Sequence, residues 1–168
     1  MSKGKSATVT DIEHIGIVVQ DIEKAAHFYS VTLGTTPFRI FELNVTDEML
    51  KGFTQGKTST GRLKIGIAQK GNLIFELIEI VEGRTIYQEF IDDTGSDVHL
   101  GFDVDDLDKA MAQFEGQGIE VFLRGNTGNG EVAFIGGEGT GNVIIELMQP
   151  KRSLLDRLSS IEEKPIAH

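Results

Sequence analysis

The chain has 168 residues, of which 39% are hydrophobic and 25% charged, a balance typical of one folded globular domain rather than of a disordered chain. A formal net charge of −10 at pH 7 argues against binding of nucleic acid, and the lack of cysteine excludes disulfides and thiolate zinc sites. The start MSKGKSATVTD lacks an apolar targeting region, and no apolar run is long enough to cross a membrane, so we expect a cytoplasmic protein.

The first half of the chain predicts a strand, a helix and three further strands. The strand covers residues 13–19, and the helix covers residues 22–33 with Asp21 at its N-cap. Strands follow at 38–43, 62–69 and 72–80, and a helix near 84–91 leads into the second half. The segment 44–60 is predicted to form a short helix and a loop, acting either as a lid or as a surface excursion.

The second half predicts the same order of elements. A strand at 98–104 precedes a helix at 107–117, with Asp106 at the N-cap, and strands follow at 119–124, 131–136 and 143–149. We therefore expect a single domain over residues 8–150, made of modules at about 11–80 and 96–150. Residues 151–168 are predicted to add a helix at 153–160 and a polar tail.

This order reflects an internal repeat. DIEHIGIVVQDIEKAAHFY, from residue 11, aligns with SDVHLGFDVDDLDKAMAQF, from residue 96, so that His14 matches His99. GNLIFELIEI, from residue 71, aligns with GNVIIELMQP, from residue 141, so that Glu76 matches Glu146. The offset falls from 85 residues in the first pair to 70 in the second, which puts about fifteen extra residues in the first module, within 44–60.

The alternation of strand residues predicts which side chains share a face. Ile15, Ile17 and Val19 lie on one face, which is predicted to cover the helices, and the repeated histidines lie on the other face. In the glutamate strands, Leu73, Phe75 and Leu77 form one face, and the glutamate lies on the other. His27 and His168 have no counterpart in the repeat and are predicted to be solvated.

The repeated polar residues indicate a metal site. Each glutamate stands among apolar strand residues, where an unpaired carboxylate would be costly and a cation is needed. Neutral imidazoles together with carboxylates suit a divalent first-row metal. Pairing of the two modules would bring these four side chains together: His14, Glu76, His99 and Glu146.

The segments that carry these residues resemble the vicinal oxygen chelate superfamily, which includes glyoxalase I, methylmalonyl-CoA epimerase, extradiol dioxygenases and bleomycin-resistance proteins. The resemblance rests on IEHIGIVVQDIEKAAHFYSVTLG, LIFELIEI, VHLGFDVDDLDKAMAQFEGQGIEV and GNVIIELMQP. It implies an α+β fold of two βαβββ modules that form a curved mixed sheet around one central metal ion, often as a homodimer. It also implies that the ligands are His14, Glu76, His99 and Glu146, holding zinc, nickel, cobalt or manganese.

Within the superfamily the chain is most similar to methylmalonyl-CoA epimerase. TIYQEFIDDTGSDVHLGFDVDD resembles its linker helix and second histidine strand, and GNTGNGEVAFIGGEGTGNVIIEL resembles its glycine-rich approach to the last ligand. Val18 and Ile80 stand where a glutathione-dependent glyoxalase carries arginine and asparagine. Lys64 aligns with the catalytic glutamate of the epimerase, and is either an acid–base group with a pKa lowered by burial or a solvated strand residue.

The resemblance implies a metal-dependent isomerase or lyase that acts on an acyl-CoA, a 2-oxo compound or a thiol adduct. Glu146 is the expected base and Glu76 its counterpart, with an enediolate stabilised at the metal. Two alternatives stay open: an oxygenase with iron held by two histidines and one carboxylate, against which Glu76 argues, and a binding or resistance protein. Binding of coenzyme A would also need a basic patch, for which these residues are available: Lys51, Lys57, Arg62, Lys64 and Arg124.

Overall fold

Eight strands and three α-helices are seen in the computed structural model, which describes residues 6–46, 60–126, 130–136, 138–151 and 156. In chain order they are β1 (Val9–Val18), α1 (Ile22–Leu33), β2 (Arg39–Val45), β3 (Thr60–Lys70), β4 (Leu73–Arg84), α2 (Ile86–Thr94), β5 (Val98–Val104), α3 (Leu107–Glu115), β6 (Val121–Asn126), β7 (Gly130–Ile135) and β8 (Ile144–Pro150). None of the helices in these ranges combines the length and apolar character needed to span a membrane.

The strands form one mixed sheet in the order β2-β3-β4-β1-β5-β8-β7-β6. The pairs β1–β4 and β5–β8 are parallel, and the central pair β1–β5 is antiparallel. Counted outward from this central pair, each module contributes its strands in the same order. The predicted fold class, α+β with two βαβββ modules in a curled mixed sheet, is therefore confirmed.

The two faces of the sheet carry different helices. Helix α1 packs over Leu77 of β4, and α3 packs over Leu147 of β8. The other face carries Ile78 of β4 and Ile144 of β8, and in the second module it is covered by α2 through Ile86 and other apolar residues. Neighbouring strand residues thus enter different cores, as the predicted alternation requires.

Both module helices begin at the predicted aspartates. The carboxylates of Asp21 and Asp106 each accept a hydrogen bond from a backbone amide three residues later, at 3.0 Å, which satisfies a donor left free in the first turn. Helix α1 ends at Gly34, whose left-handed backbone closes the last turn. These caps explain why α1 spans the residues that the sequence predicts.

The strand bounds differ from prediction where the chain departs from regular pairing. β1 begins at Val9 rather than at residue 13. Two register shifts in β1, before Ile12 and before His14, let it stay paired with β5 as far as Val104. β4 runs to Arg84, which pairs with Thr60, so α2 begins later than predicted, at Ile86. The predictions for 47–59 and for the terminal helix fall outside the described residues, except that residue 156 is helical.

Candidate metal centre

The central strand pair positions the two histidines. In the antiparallel register of β1 and β5, His14 lies opposite Gly101, and His99 lies opposite Gly16. Side chains at these positions point to the face away from α1 and α3. The two imidazoles therefore converge over the middle of the sheet, with their Nε2 atoms 3.2 Å apart.

The parallel pairs bring the glutamates to the same point from opposite sides. Glu76 on β4 pairs with Gly16, and Glu146 on β8 pairs with Gly101. Each glycine thus lies between the histidine of the other module and the glutamate of its own. A Cβ atom on Gly16 would overlap the ring of His99, because that imidazole lies directly over the glycine backbone. The repeated glycines are therefore part of the site's construction.

Four predicted ligand side chains meet within one small volume, since one ligand atom from each lies within 4.8 Å of all the others. Oε2 of Glu146 is 3.1 Å from Nε2 of His99 and 3.5 Å from Nε2 of His14. Oε2 of Glu76 is 3.4 Å from Nε2 of His99 and 3.8 Å from Nε2 of His14. The sequence prediction that these residues converge agrees with this geometry.

These separations fit the donor set of a divalent ion. Nitrogen and oxygen donors about 2.1 Å from one ion lie about 3.0 Å apart when their bonds are at right angles and about 3.4 Å apart at the tetrahedral angle. The separations between each imidazole and each carboxylate span a similar range, from 3.1 to 3.8 Å. Two imidazoles and two carboxylates also have the chemistry that zinc, nickel, cobalt and manganese accept.

The cluster is buried, and its protonation follows from that burial. His14 is 5% exposed, His99 2% and Glu146 5%, whereas the side chain of Glu76 is 20% exposed. Burial alone would lower the pKa of His99, but its contacts with Glu146 and Glu76 outweigh burial and raise the pKa to about 9. Burial would raise the pKa of Glu146, but the two histidines hold it well below its usual range. A cation in the cluster would take the place of these imidazole protons.

Aromatic residues wall the site on the side of the second module, and sequence reasoning missed them. The ring of Tyr87, from α2, stacks on His99 with centroids 5.8 Å apart and planes 25° apart. Phe134, which pairs with Glu146 across β7 and β8, meets the same imidazole edge-on at 6.3 Å. Burial, and then the charges of the two glutamates, raise the pKa of Tyr87 well above its ordinary value. The phenol therefore stays neutral beside the cluster.

Lys64 lies away from this site. Its Nζ is 3.1 Å from Oε1 of Glu23 in α1, on the face of the sheet opposite the histidines. The hydrogen bond to Glu23, opposed by some desolvation, raises the pKa of Lys64 rather than lowering it. This contradicts the acid–base interpretation and leaves Lys64 as a strand residue in surface ion pairs. His27 is exposed on α1, as predicted.

Comparison with known proteins agrees with the fold. The uncharacterized protein YqjC of Bacillus subtilis (strain 168) is 25% identical over 144 residues, which cover 83% of this chain and 92% of that protein. Methylmalonyl-CoA epimerase from Mycobacterium tuberculosis superposes with a TM-score of 0.62 at 22% identity, covering 91% of this chain and 93% of that one. A Streptomyces coelicolor methylmalonyl-CoA epimerase in complex with 2-nitronate-propionyl-CoA gives 0.60 at 21% identity, covering 86% and 100%.

At these identities the structural likenesses establish the fold alone. The sequence itself goes further, because residues 13–135 match the family model of the Glyoxalase/Bleomycin resistance protein/Dioxygenase superfamily. That match takes in three of the four clustered side chains and most of both modules. The chain belongs to the Glyoxalase/Bleomycin resistance protein/Dioxygenase superfamily.

Proposed function

We propose that this protein is a divalent-metal-dependent isomerase or lyase that removes a proton from the carbon next to a carbonyl group, with methylmalonyl-CoA as the first substrate to test. The observation that carries the proposal is the convergence of four ligand atoms, each within 4.8 Å of the others. The likeness of the fold to methylmalonyl-CoA epimerases supports the choice of substrate.

His14, His99, Glu76 and Glu146 would hold the ion. As a Lewis acid, such an ion stabilises negative charge on a substrate oxygen next to the reacting carbon. Four protein donors favour this chemistry over that of an iron oxygenase, because Glu76 takes a position that oxygen activation would need open.

The two carboxylates are the proposed acid–base groups. They reach the site from β4 and β8, which flank the central strand pair on opposite sides. Inversion of a carbon centre requires that a proton leave one face and return to the other, and carboxylates on opposite sides suit this task. Glu146 is held tightly between both imidazoles, whereas Glu76 makes longer contacts and is more exposed.

The described basic residues are already paired with carboxylates, which favours a substrate smaller than an acyl-CoA. Arg62 pairs with Glu42 at 3.2 Å, and Arg124 lies between two carboxylates from neighbouring elements. These pairs compete with phosphate groups for the cations predicted to bind coenzyme A, while Lys51 and Lys57 lie outside the described residues. This observation favours, as the second candidate, a 2-oxo compound or a thiol adduct processed by the same proton abstraction.

The test follows deuterium at the carbon next to the thioester when methylmalonyl-CoA is incubated in heavy water with metal-loaded protein. We expect uptake that depends on zinc, nickel, cobalt or manganese and disappears with a chelator. No uptake above the metal-free control would remove this substrate, and the same assay would then be run on 2-oxo compounds and thiol adducts.

Variants of the two glutamates sharpen this test. Starting from each pure epimer, Glu146→Gln and Glu76→Gln should each abolish exchange of one epimer and keep part of the exchange of the other, at matched metal content. Equal loss for both epimers, with the metal retained, would contradict the assignment of one glutamate to each face.

A further inference from the structure

Glu13, which precedes His14, occupies an irregular position in β1. Ile12 lies opposite Phe102 and His14 lies opposite Gly101, so two steps along β1 match one step along β5. Glu13 is therefore the extra residue of a β-bulge, a feature that redirects side chains. In a regular strand its side chain would point to the face opposite that of His14. In this structure its Oε2 lies 3.5 Å from Nδ1 of His14.

Oε2 of Glu13 and Nδ1 of His14 are placed to pair with each other. Both are buried, and neither makes a conventional hydrogen bond within the described part of the chain. A buried carboxylate oxygen and a buried imidazole nitrogen without partners would each destabilise the fold. Their separation is slightly longer than a normal hydrogen bond, so a small rotation of the ring or carboxylate would close it.

The arrangement belongs to one module only. In the second module Val98 stands where Glu13 stands in the first, and it has no group to accept a proton. From His14 to Ile17 the pairing with β5 is regular, which leaves His99 without a bulge beside it. The two imidazoles of the centre are therefore supported differently, although the strands that carry them are repeats.

We propose that Glu13 is a positioning residue that accepts a hydrogen bond from Nδ1–H of His14 and thereby keeps the lone pair of Nε2 directed at the metal centre. The inference rests on the proposed function, since it assigns a role toward the ion. A carboxylate behind a ligating imidazole fixes its tautomer and strengthens it as a ligand. Glu13 thus fixes the orientation of His14, so that a metal ion that replaces the Nε2 proton meets a correctly placed imidazole.

Zinc titration calorimetry on the full chain tests this role with the unmodified protein, Glu13→Ala, Glu13→Gln and Glu82→Ala. Glu82 is an exposed carboxylate on β4 that pairs with Arg62, so its removal controls for the lost charge. We expect Glu13→Ala to weaken zinc binding by about tenfold to a hundredfold. Glu13→Gln, whose amide oxygen still accepts a hydrogen bond, should lose less, and Glu82→Ala should bind as the unmodified protein does.

A second readout is specific to His14. In the zinc-loaded protein, the Nδ1 proton of His14 should exchange slowly with solvent by nuclear magnetic resonance, and Glu13→Ala should accelerate this exchange without changing that of His99. If Glu13→Ala does not fold, judged by circular dichroism, the same comparison is made with Glu13→Gln, in which a neutral acceptor should give intermediate exchange. Unchanged affinity together with unchanged exchange overturns the role of Glu13 alone. Failure of the unmodified protein to bind any of zinc, nickel, cobalt and manganese overturns the metal centre and this role with it.

Discussion

Within the cluster, each charged side chain is compensated by the others. Glu146 is almost fully buried, and its nearest cationic partners are His99 and His14. A buried carboxylate that loses its partners costs several kcal/mol of stability. The cluster therefore has two stable conditions: protonated imidazoles beside the carboxylates, or neutral imidazoles and a metal ion.

The first condition predicts how the stability of the metal-free protein depends on pH. The folded pKa of His99 is about 9, above the ordinary value of 6.5, so the proton on His99 stabilises the fold fully below pH 6.5. This stabilisation is lost as pH rises through 9, and the loss is on the order of 3 kcal/mol at most. We expect the free energy of unfolding in urea, with a chelator present, to fall between pH 6.5 and 9.

Two controls bear on this result. Adding zinc should abolish the fall, because the metal binds the deprotonated imidazoles and its affinity rises with pH. The variant His27→Gln, which changes an exposed histidine of α1, should leave the pH profile unchanged. A metal-free protein of constant stability across this range would mean that His99 carries no proton in the fold.

For single residues, the sequence predicted the role of those that recur in both modules but not the role of those that occur once. His14 and His99 stand out because each recurs in the same context, and one pairing of the modules then predicts that they converge. Glu13 has no counterpart, and its direction depends on a bulge that β-strand alternation does not reveal. The sequence left Lys64 open between an acid–base group and a solvated strand residue, because an alignment position does not state which face of the sheet a side chain takes.

In the central strands the backbone packs against imidazole rings, and this packing limits two positions to glycine. Gly16 and Gly101 leave the space that the ring of the opposite strand's histidine fills. The two histidine rings meet edge to face, with planes 81° apart, and the strands can hold them over one point only because a glycine lies opposite each histidine.

We predict that Gly16→Ala or Gly101→Ala displaces the opposite imidazole, lowers the free energy of unfolding by about 1–3 kcal/mol, as overpacking does, and abolishes tight metal binding. The measurements are urea unfolding and metal content after dialysis. Gly139→Ala is the matched control, because a Cβ atom there meets open space, and it should change neither quantity. Tight metal binding retained in Gly16→Ala would show that the ring of His99 can move without loss of the site.

Elements bounded by local chemistry were predictable, and those bounded by tertiary pairing were less so. Helix α1 matches its prediction because Asp21 caps its start and Gly34 ends it. β1 extends further than predicted because its first residues pair with β5 only across bulges in β1 itself. The side on which α2 lies could not be inferred, since its amphipathic pattern fits either face of the sheet.

Across the whole molecule, the two modules share a single centre. The histidines come from the two central strands and the glutamates from the strands that flank them, so each module supplies two of the four clustered side chains. Neither module carries the full set. A bound ion would therefore connect the modules across the antiparallel pair β1–β5.

We predict that metal raises the stability of both modules together. At a free metal concentration one hundred times the dissociation constant, the free energy of unfolding should rise by about 2.7 kcal/mol in one cooperative transition. Differential scanning calorimetry with and without zinc measures this, with Glu146→Gln as the variant expected to lose most of the shift. Two separate transitions, of which zinc shifts only one, would contradict a centre shared by both modules.

The repeat predicted the architecture of the sheet but not the places where the two modules differ. Equivalent strands follow from equivalent sequences, and the sheet order is what such a duplication requires. The aromatic wall from α2 and Phe134 lies on one side of the centre, because α2 covers the second module. This asymmetry comes from the linker helix α2 and from Phe134 on β7, so the repeat alone does not predict it.

The stacking of Tyr87 on His99 also gives the centre an optical signal. The chain contains two tyrosines and no tryptophan, so its ultraviolet emission comes from tyrosine alone. Tyr29 packs on Phe75 on the helix side of the sheet, whereas Tyr87 is in ring contact with a proposed ligand. Paramagnetic nickel or cobalt quenches a fluorophore in such contact far more than a distant one. The intrinsic tyrosine fluorescence should therefore report the binding of nickel or cobalt at the centre, without any added dye.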